Sequence, residues 1–305
     1  MELVPLLLVA LLLLVLLGAG VLVYRLHHPT RKTWGAAVGR GDPTSPDEAG
    51  LEDFREMSFR LADGSQSPGW LIAGRRPGGP RVVVCHGWGD SRYGALNLVP
   101  LLAGYASSVV VFDLPGQGES EAKASRFGAR EAADIRCVLD QLPPPDAGTV
   151  LMGYSMGAGI AIAAAAEDER IAGVIAEGPF RFWHEPVRSM LRQQRYPAWL
   201  LVPAASGLLR LLGHVPEDRA EQAARLHCPL LVLAAEQDEL VPAASMRAIA
   251  ESAPQGELVL FAGGCHNQLV QCDESRYRDA LERFFSGLAQ APVSDRPGRP
   301  ASSGE

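Results

Sequence analysis

The stretch TVLMGYSMGAGIAIAAAA, Thr149 to Ala166, decides how the rest of the chain is read. Thr149 to Met152 is a short apolar run, expected as a strand, and Ser155 to Ala166 is expected as a helix of small residues. Between them Gly153-Tyr154-Ser155-Met156-Gly157 forms a G-x-S-x-G. Alone this pattern is weak in a chain with 32 glycines; directly after a strand and at the start of a helix it is specific. The turn is so sharp that side chains at the glycines would collide with the neighbouring strand and helix. The serine is then held in a strained backbone conformation, its oxygen exposed close to a helix N-terminus.

Outward from this turn, short apolar runs alternate with helical patterns. Met57 to Leu61 and Gly69 to Ala73 flank Asp63-Gly64, a hairpin signal. Further strands are expected at Arg81 to Cys85, Ser108 to Phe112, Ile171 to Ile175, Leu230 to Ala234 and Leu258 to Phe261. Helices are expected at Tyr93 to Ala103, Arg130 to Leu142 and Ser275 to Leu288. This alternation argues for an α/β fold, a mostly parallel doubly wound sheet with an antiparallel edge from the opening hairpin. In such sheets the chemistry sits at the carboxyl ends of the strands.

A serine hydroxyl is a poor nucleophile until a base takes its proton. His266, in Gly263-Gly264-Cys265-His266-Asn267, is the one histidine both late in the chain and at a strand's carboxyl end. An imidazole base needs a carboxylate to fix its tautomer and stabilise its cation. Asp238 follows the strand Leu230 to Ala234 and lies 28 residues before His266, room for one helix and one strand. Glu177 is the alternative acid position, and Glu236 and Glu239 are neighbouring carboxylates. His86-Gly87-Trp88-Gly89-Asp90 follows the strand at 81–85 and suits an oxyanion hole, with the N–H groups of Trp88 and Met156 as donors. His86 is read as a structural hydrogen-bonder and Asp113 as a brace for the turn at 112–120.

These residues together resemble the α/β-hydrolase superfamily, of the esterase- and lipase-like serine hydrolase kind. The landmarks are H-G-W-G at 86–89, F-D-L-P-G-Q-G-E-S at 112–120, G-Y-S-M-G at 153–157, D-x-x-V-P at 238–242 and His266, in the chain order Ser, Asp, His. The resemblance spans about residues 57–288. It implies a catalytic triad of Ser155, Asp238 and His266, an acyl-enzyme intermediate, and no metal or organic cofactor.

The ends read differently. Leu3 to Val23 is an unbroken run of 21 uncharged residues. As a helix it measures roughly 31 Å, close to the hydrocarbon core of a bilayer. Only Met1 and Glu2 precede it, and Arg25, Arg31 and Lys32 follow it. These flanks favour an uncleaved single-pass anchor with the following domain in the cytoplasm, although Gly18-Ala19-Gly20 offers a signal-peptide cleavage site. The division expected is an anchor at 1–25, a linker at 26–50, a hydrolase domain at 51–289 and a disordered tail at 290–305. Five scattered cysteines fit free thiols better than a disulfide framework. The net charge of −7 argues against a nucleic-acid partner.

More than fifty residues separate the strands at 171–175 and 230–234, so a helical cap is expected at about 181–226. Its stretch Pro197 to Gly213 is apolar but interrupted by Pro203 and Arg210, which argues against a second span. Two roles are open to it, packing on the sheet, or forming an acyl pocket or membrane-facing lid. The function expected is hydrolysis of a small, apolar acyl ester by a membrane-anchored serine hydrolase. Thioester or amide hydrolysis and acyl transfer use the same triad, and a non-catalytic binding module is the rival from another class.

Overall fold

The computed structural model describes residues 3–290. The tail expected beyond that point lies outside the described residues. The strands are β1 (Phe54–Arg60), β2 (Gln66–Ala73), β3 (Arg81–Cys85), β4 (Ser108–Phe112), β5 (Thr149–Tyr154), β6 (Ile171–Glu177), β7 (Leu230–Ala235) and β8 (Gly256–Phe261). They form one eight-stranded sheet in the order β1-β2-β4-β3-β5-β6-β7-β8. The pairs β1/β2 and β2/β4 are antiparallel and all others parallel. The central strands β3, β5 and β7 are buried on both faces except at Tyr154, which explains their continuous Val, Leu and Met content.

The helices are α1 (Leu3–His27), α2 (Trp34–Arg40), α3 (Arg92–Ala95), α4 (Val99–Leu102), α5 (Ala132–Asp140), α6 (Met156–Ala165), α7 (His184–Gln193), α8 (Ala198–Leu212), α9 (Arg219–Ala223), α10 (Ala243–Ser252), α11 (Leu269–Cys272) and α12 (Glu274–Gln290). Two apolar cores lie on either side of the sheet. One contains α5, α6 and the helices after β6; the other contains α3, α4 and α12.

Three local differences from the sequence expectation have physical reasons. The single helix expected over Tyr93 to Ala103 is two, α3 and α4, because Pro100 has no N–H to donate back to Leu96. The stretch 33–50, expected as linker, forms α2 and a 3-10 turn, ended by Gly41 and Gly50 in the left-handed conformation. Pro203 leaves α8 continuous, at the loss of one intrahelical bond.

Helix α1 is apolar all round and mostly exposed. Its last turns are the exception: Ala19, Val23, Leu26 and His27 are buried, at the three- and four-residue spacing of one helix face. That face meets α8. A Cβ at Gly18 would lie 2.9 Å from Leu201, and the His27 ring sits edge-on to His214 at 4.9 Å. The two helices therefore run in the same direction, with Gly18 beside Leu201 and His27 beside His214 just past the end of α8. Beside this contact α8 exposes Trp199 and Leu211.

Candidate active site

Of the expected residues, Trp88 after β3, Ser155 and Met156 after β5 and His266 after β8 line one cavity of about 270 Å³, whereas Asp238 after β7 does not line it. A wider groove of about 630 Å³ between β8 and α12 is polar and contains neither a serine–histidine pair nor a strained turn.

Ser155 has φ 50° and ψ −115°, a conformation that non-glycine residues rarely adopt. Its own N–H donates to the Glu177 carbonyl at 2.8 Å, which ties the strained residue to β6. The flanking glycines are required by space. A Cβ at Gly153 would overlap the Gly157 carbonyl, and one at Gly157 would overlap the Cys85 carbonyl at the end of β3. The following helix, α6, is buried along its whole length, which its run of Gly, Ala and Ile permits.

His266 lies in the loop after β8, its Nδ1 2.7 Å from Oδ2 of Asp238 in the loop after β7. Oδ1 of Asp238 accepts the N–H groups of Leu240 and Val241, each at 2.8 Å. The carboxylate is thus fixed by its own turn while its other oxygen orients the imidazole. His266 Nε2 is buried and has no hydrogen-bond partner among the described residues. His266 and Ser155 line the same cavity.

The other acid positions take different roles. Glu177 is buried and accepts the Tyr277 hydroxyl at 2.8 Å; burial pushes its pKa up. Glu239 accepts the main-chain N–H of His266 at 3.2 Å, so it supports the loop.

The loop 86–90 is pinned from several sides. His86 is fully buried, with Nε2 accepting the Leu114 N–H and Nδ1 against the Gly87 carbonyl, both at 2.9 Å. Gln117 accepts the Gly89 N–H at 2.5 Å. Asp113 accepts the N–H groups of Arg92 and Glu119 at 2.7 and 2.8 Å and pairs with the Arg92 guanidinium. It braces the turn and does not line the cavity. The N–H groups of Trp88 and Met156 have no acceptor among the described residues. For Met156, the first residue of α6, this is the unsatisfied donor that every helix start leaves.

The apolar walls come from Phe127, Phe180, Met190 and Leu240. Phe127 itself has a left-handed φ of 51° and stacks on Phe180 at 5.8 Å. Sequence reasoning did not single out Gln117, Asn267 or Phe127. Gln117 lay inside a quoted motif, whereas a positive-φ phenylalanine leaves no sequence signal.

The comparisons with known proteins agree with this fold. The family described as alpha/beta hydrolase fold matches residues 80–202, from β3 into α8. The chain has the alpha/beta hydrolase fold. Its similarity to the Mycobacterium tuberculosis protein Rv2307c is 29% identity over 280 residues, 90% of this chain and 93% of that protein. The pimeloyl-[acyl-carrier protein] methyl ester esterase of Xanthomonas campestris pv. campestris is 28% identical over 253 residues, 69% of this chain and 96% of the esterase. Among solved structures, a bacterial membrane phospholipase A superposes with a TM-score of 0.60 at 18% identity, covering 95% of this chain and 98% of the phospholipase.

Proposed function

We propose that the chain is a membrane-anchored serine hydrolase that cleaves carboxylic esters through an acyl-enzyme intermediate. The observation that carries this reading is a strained Ser155 sharing a cavity with His266, which Asp238 orders. In this reading Ser155 Oγ attacks the ester carbonyl carbon while its proton passes to His266 Nε2. The negative oxygen of the tetrahedral adduct accepts hydrogen bonds from the N–H groups of Trp88 and Met156. Collapse breaks the ester C–O bond, and the leaving alkoxide takes the proton from His266. Water then repeats the sequence, releasing the acid and restoring Ser155.

Ester substrates are favoured by the apolar cavity wall and by the likeness to a methyl ester esterase. Anchoring is supported by α1, the one helix among the described residues long and apolar enough to cross a membrane. The exposed Trp199 and Leu211 of α8 extend that apolar surface.

The test is labelling of the full chain by a fluorophosphonate probe under native conditions. Labelling is expected in the wild type and absent in Ser155→Ala. A wild type that shows no Ser155-dependent labelling overturns the enzyme reading.

A further inference from the structure

We infer that residues Leu26 to Lys32, directly after the apolar stretch, are a positioning element of the catalytic site that holds the oxyanion loop. This deepens the serine-hydrolase reading and rests on it.

The segment contacts two loops that both reach the cavity. The Leu26 carbonyl, in the last turn of α1 where helix carbonyls have no intrahelical donor, accepts the indole N–H of Trp88 at 3.0 Å. Lys32 Nζ lies 2.8 Å from the Asp90 carboxylate, two residues further along the same loop. The His27 carbonyl accepts the Ser125 N–H at 2.8 Å. Arg31 donates to the carbonyls of Ser120 and Ala122, both at 2.6 Å. This second loop leads into Phe127, whose ring meets the Trp88 indole edge-on at 6.1 Å.

Such a clamp is needed because Trp88 stands between two glycines, Gly87 and Gly89, the latter with φ +72°. Glycine gives the backbone more freedom than any other residue. The turn bonds from Asp90 to Gly87 and from Gly89 to Gln117 do not hold the indole. An oxyanion donor acts only from within a fraction of an ångström of its proper place. The membrane helix and the oxyanion loop are therefore one mechanical unit.

The experiment uses the full chain in detergent micelles and p-nitrophenyl acetate, a soluble ester whose access needs no membrane. Trp88→Phe keeps an aromatic ring, though a smaller one, and removes the indole N–H. Lys32→Met removes the ion pair, and Lys32→Arg keeps it. Trp88→Phe and Lys32→Met are each expected to lower kcat about tenfold, less than the roughly hundredfold or greater loss on deleting an oxyanion donor. The pH profile stays unchanged, because the Asp238–His266 pair is untouched, and Lys32→Arg retains wild-type kcat. Thermal unfolding of each variant separates misfolding from mispositioning; Lys32 is partly exposed, so its variants keep the fold. If Trp88→Phe and Lys32→Met keep wild-type kcat, or change KM alone, while Ser155 labels normally, the inference is overturned and the hydrolase reading stands. A wild type with neither turnover nor labelling overturns both.

Discussion

Asp238 divides its carboxylate, one oxygen accepting the amides of Leu240 and Val241 and the other lying 2.7 Å from Nδ1 of His266. Both side chains are nearly inaccessible, 6% exposed for His266 and 1% for Asp238. A carboxylate held this way fixes the tautomer that leaves Nε2 able to accept a proton. Asp238→Asn keeps the shape and can present its N–H₂ to Nδ1, which selects the wrong tautomer. The expected result is a kcat lower by on the order of 10⁴-fold with little change in unfolding temperature. Steady-state turnover of a model ester measures it; a loss below tenfold would show that Asp238 is not the orienting acid.

How much of this was legible in the sequence differs by element. All eight strands were placed, because buried parallel strands are continuous β-branched runs and the opening hairpin has an Asp-Gly turn. Ser155, Asp238 and His266 could be nominated because each follows a strand in the required chain order. The docking of α1 on α8 was not legible. A helix apolar on every side has no polar face to show which side packs, so its sequence conceals the contact. The clamp on Trp88 was hidden for another reason, since the Leu26 acceptor is a main-chain carbonyl that any residue supplies.

Gly157 and Gly207 predict opposite outcomes for the same substitution. A Cβ at Gly157 would overlap the Cys85 carbonyl, a main-chain atom that cannot turn aside. Gly157→Ala is expected to cost more than the about 1–3 kcal/mol of ordinary overpacking and to abolish Ser155 labelling. Gly207 lies inside α8 with nothing within 4 Å of an added Cβ. There the change to Ala should stabilise by about 0.5–1 kcal/mol, from reduced backbone freedom in the unfolded chain. Thermal unfolding of both variants checks the pair, and a stable, labelled Gly157→Ala would refute the steric account of the turn.

Asp134 is 1% exposed and accepts the Ala62 N–H at 2.9 Å, and burial pushes its pKa up to about 6. In the unfolded chain it titrates near its usual value of about 3.9. Folding therefore favours the protonated form. Its contribution to stability is complete below about pH 4, is lost as pH rises towards 6, and is level above that. Asp134→Asn has no charge to bury. Its stability relative to wild type should rise between pH 4 and pH 7.5, by of order 2–3 kcal/mol, as measured by denaturant unfolding. Parallel curves for the two proteins would exclude Asp134 as the titrating group.

Two natural thiols report on topology. Cys265, beside His266, and Cys272 are exposed, whereas Cys85 and Cys228 are buried with thiols pushed up to about 12. If α1 is an anchor with the domain on the cytoplasmic side, a membrane-impermeant maleimide labels Cys265 and Cys272 only after the cells are permeabilised. The double variant Cys265→Ser/Cys272→Ser identifies the signal. Labelling in intact cells would reverse the orientation.

Met190 tests whether the cavity selects its substrate by acyl length. It stands on α7 and forms part of the wall of a space of only about 270 Å³, together with Phe127, Phe180 and Leu240. Met190 is only partly buried, so a change of side chain there perturbs the wall more than the fold. Met190→Trp fills part of the space from the side of α7. Short esters should then keep their kcat/KM while the longest accepted chains lose theirs. Each methylene denied a place contributes about 1–3 kcal/mol, so the ratio of long- to short-chain kcat/KM should fall at least about tenfold. Met190→Ala should move the preference the other way. A series of p-nitrophenyl esters from acetate to laurate measures both. Equal losses across the series would mean that Met190 supports α7 without touching the acyl chain, and the chain would then have to be placed elsewhere.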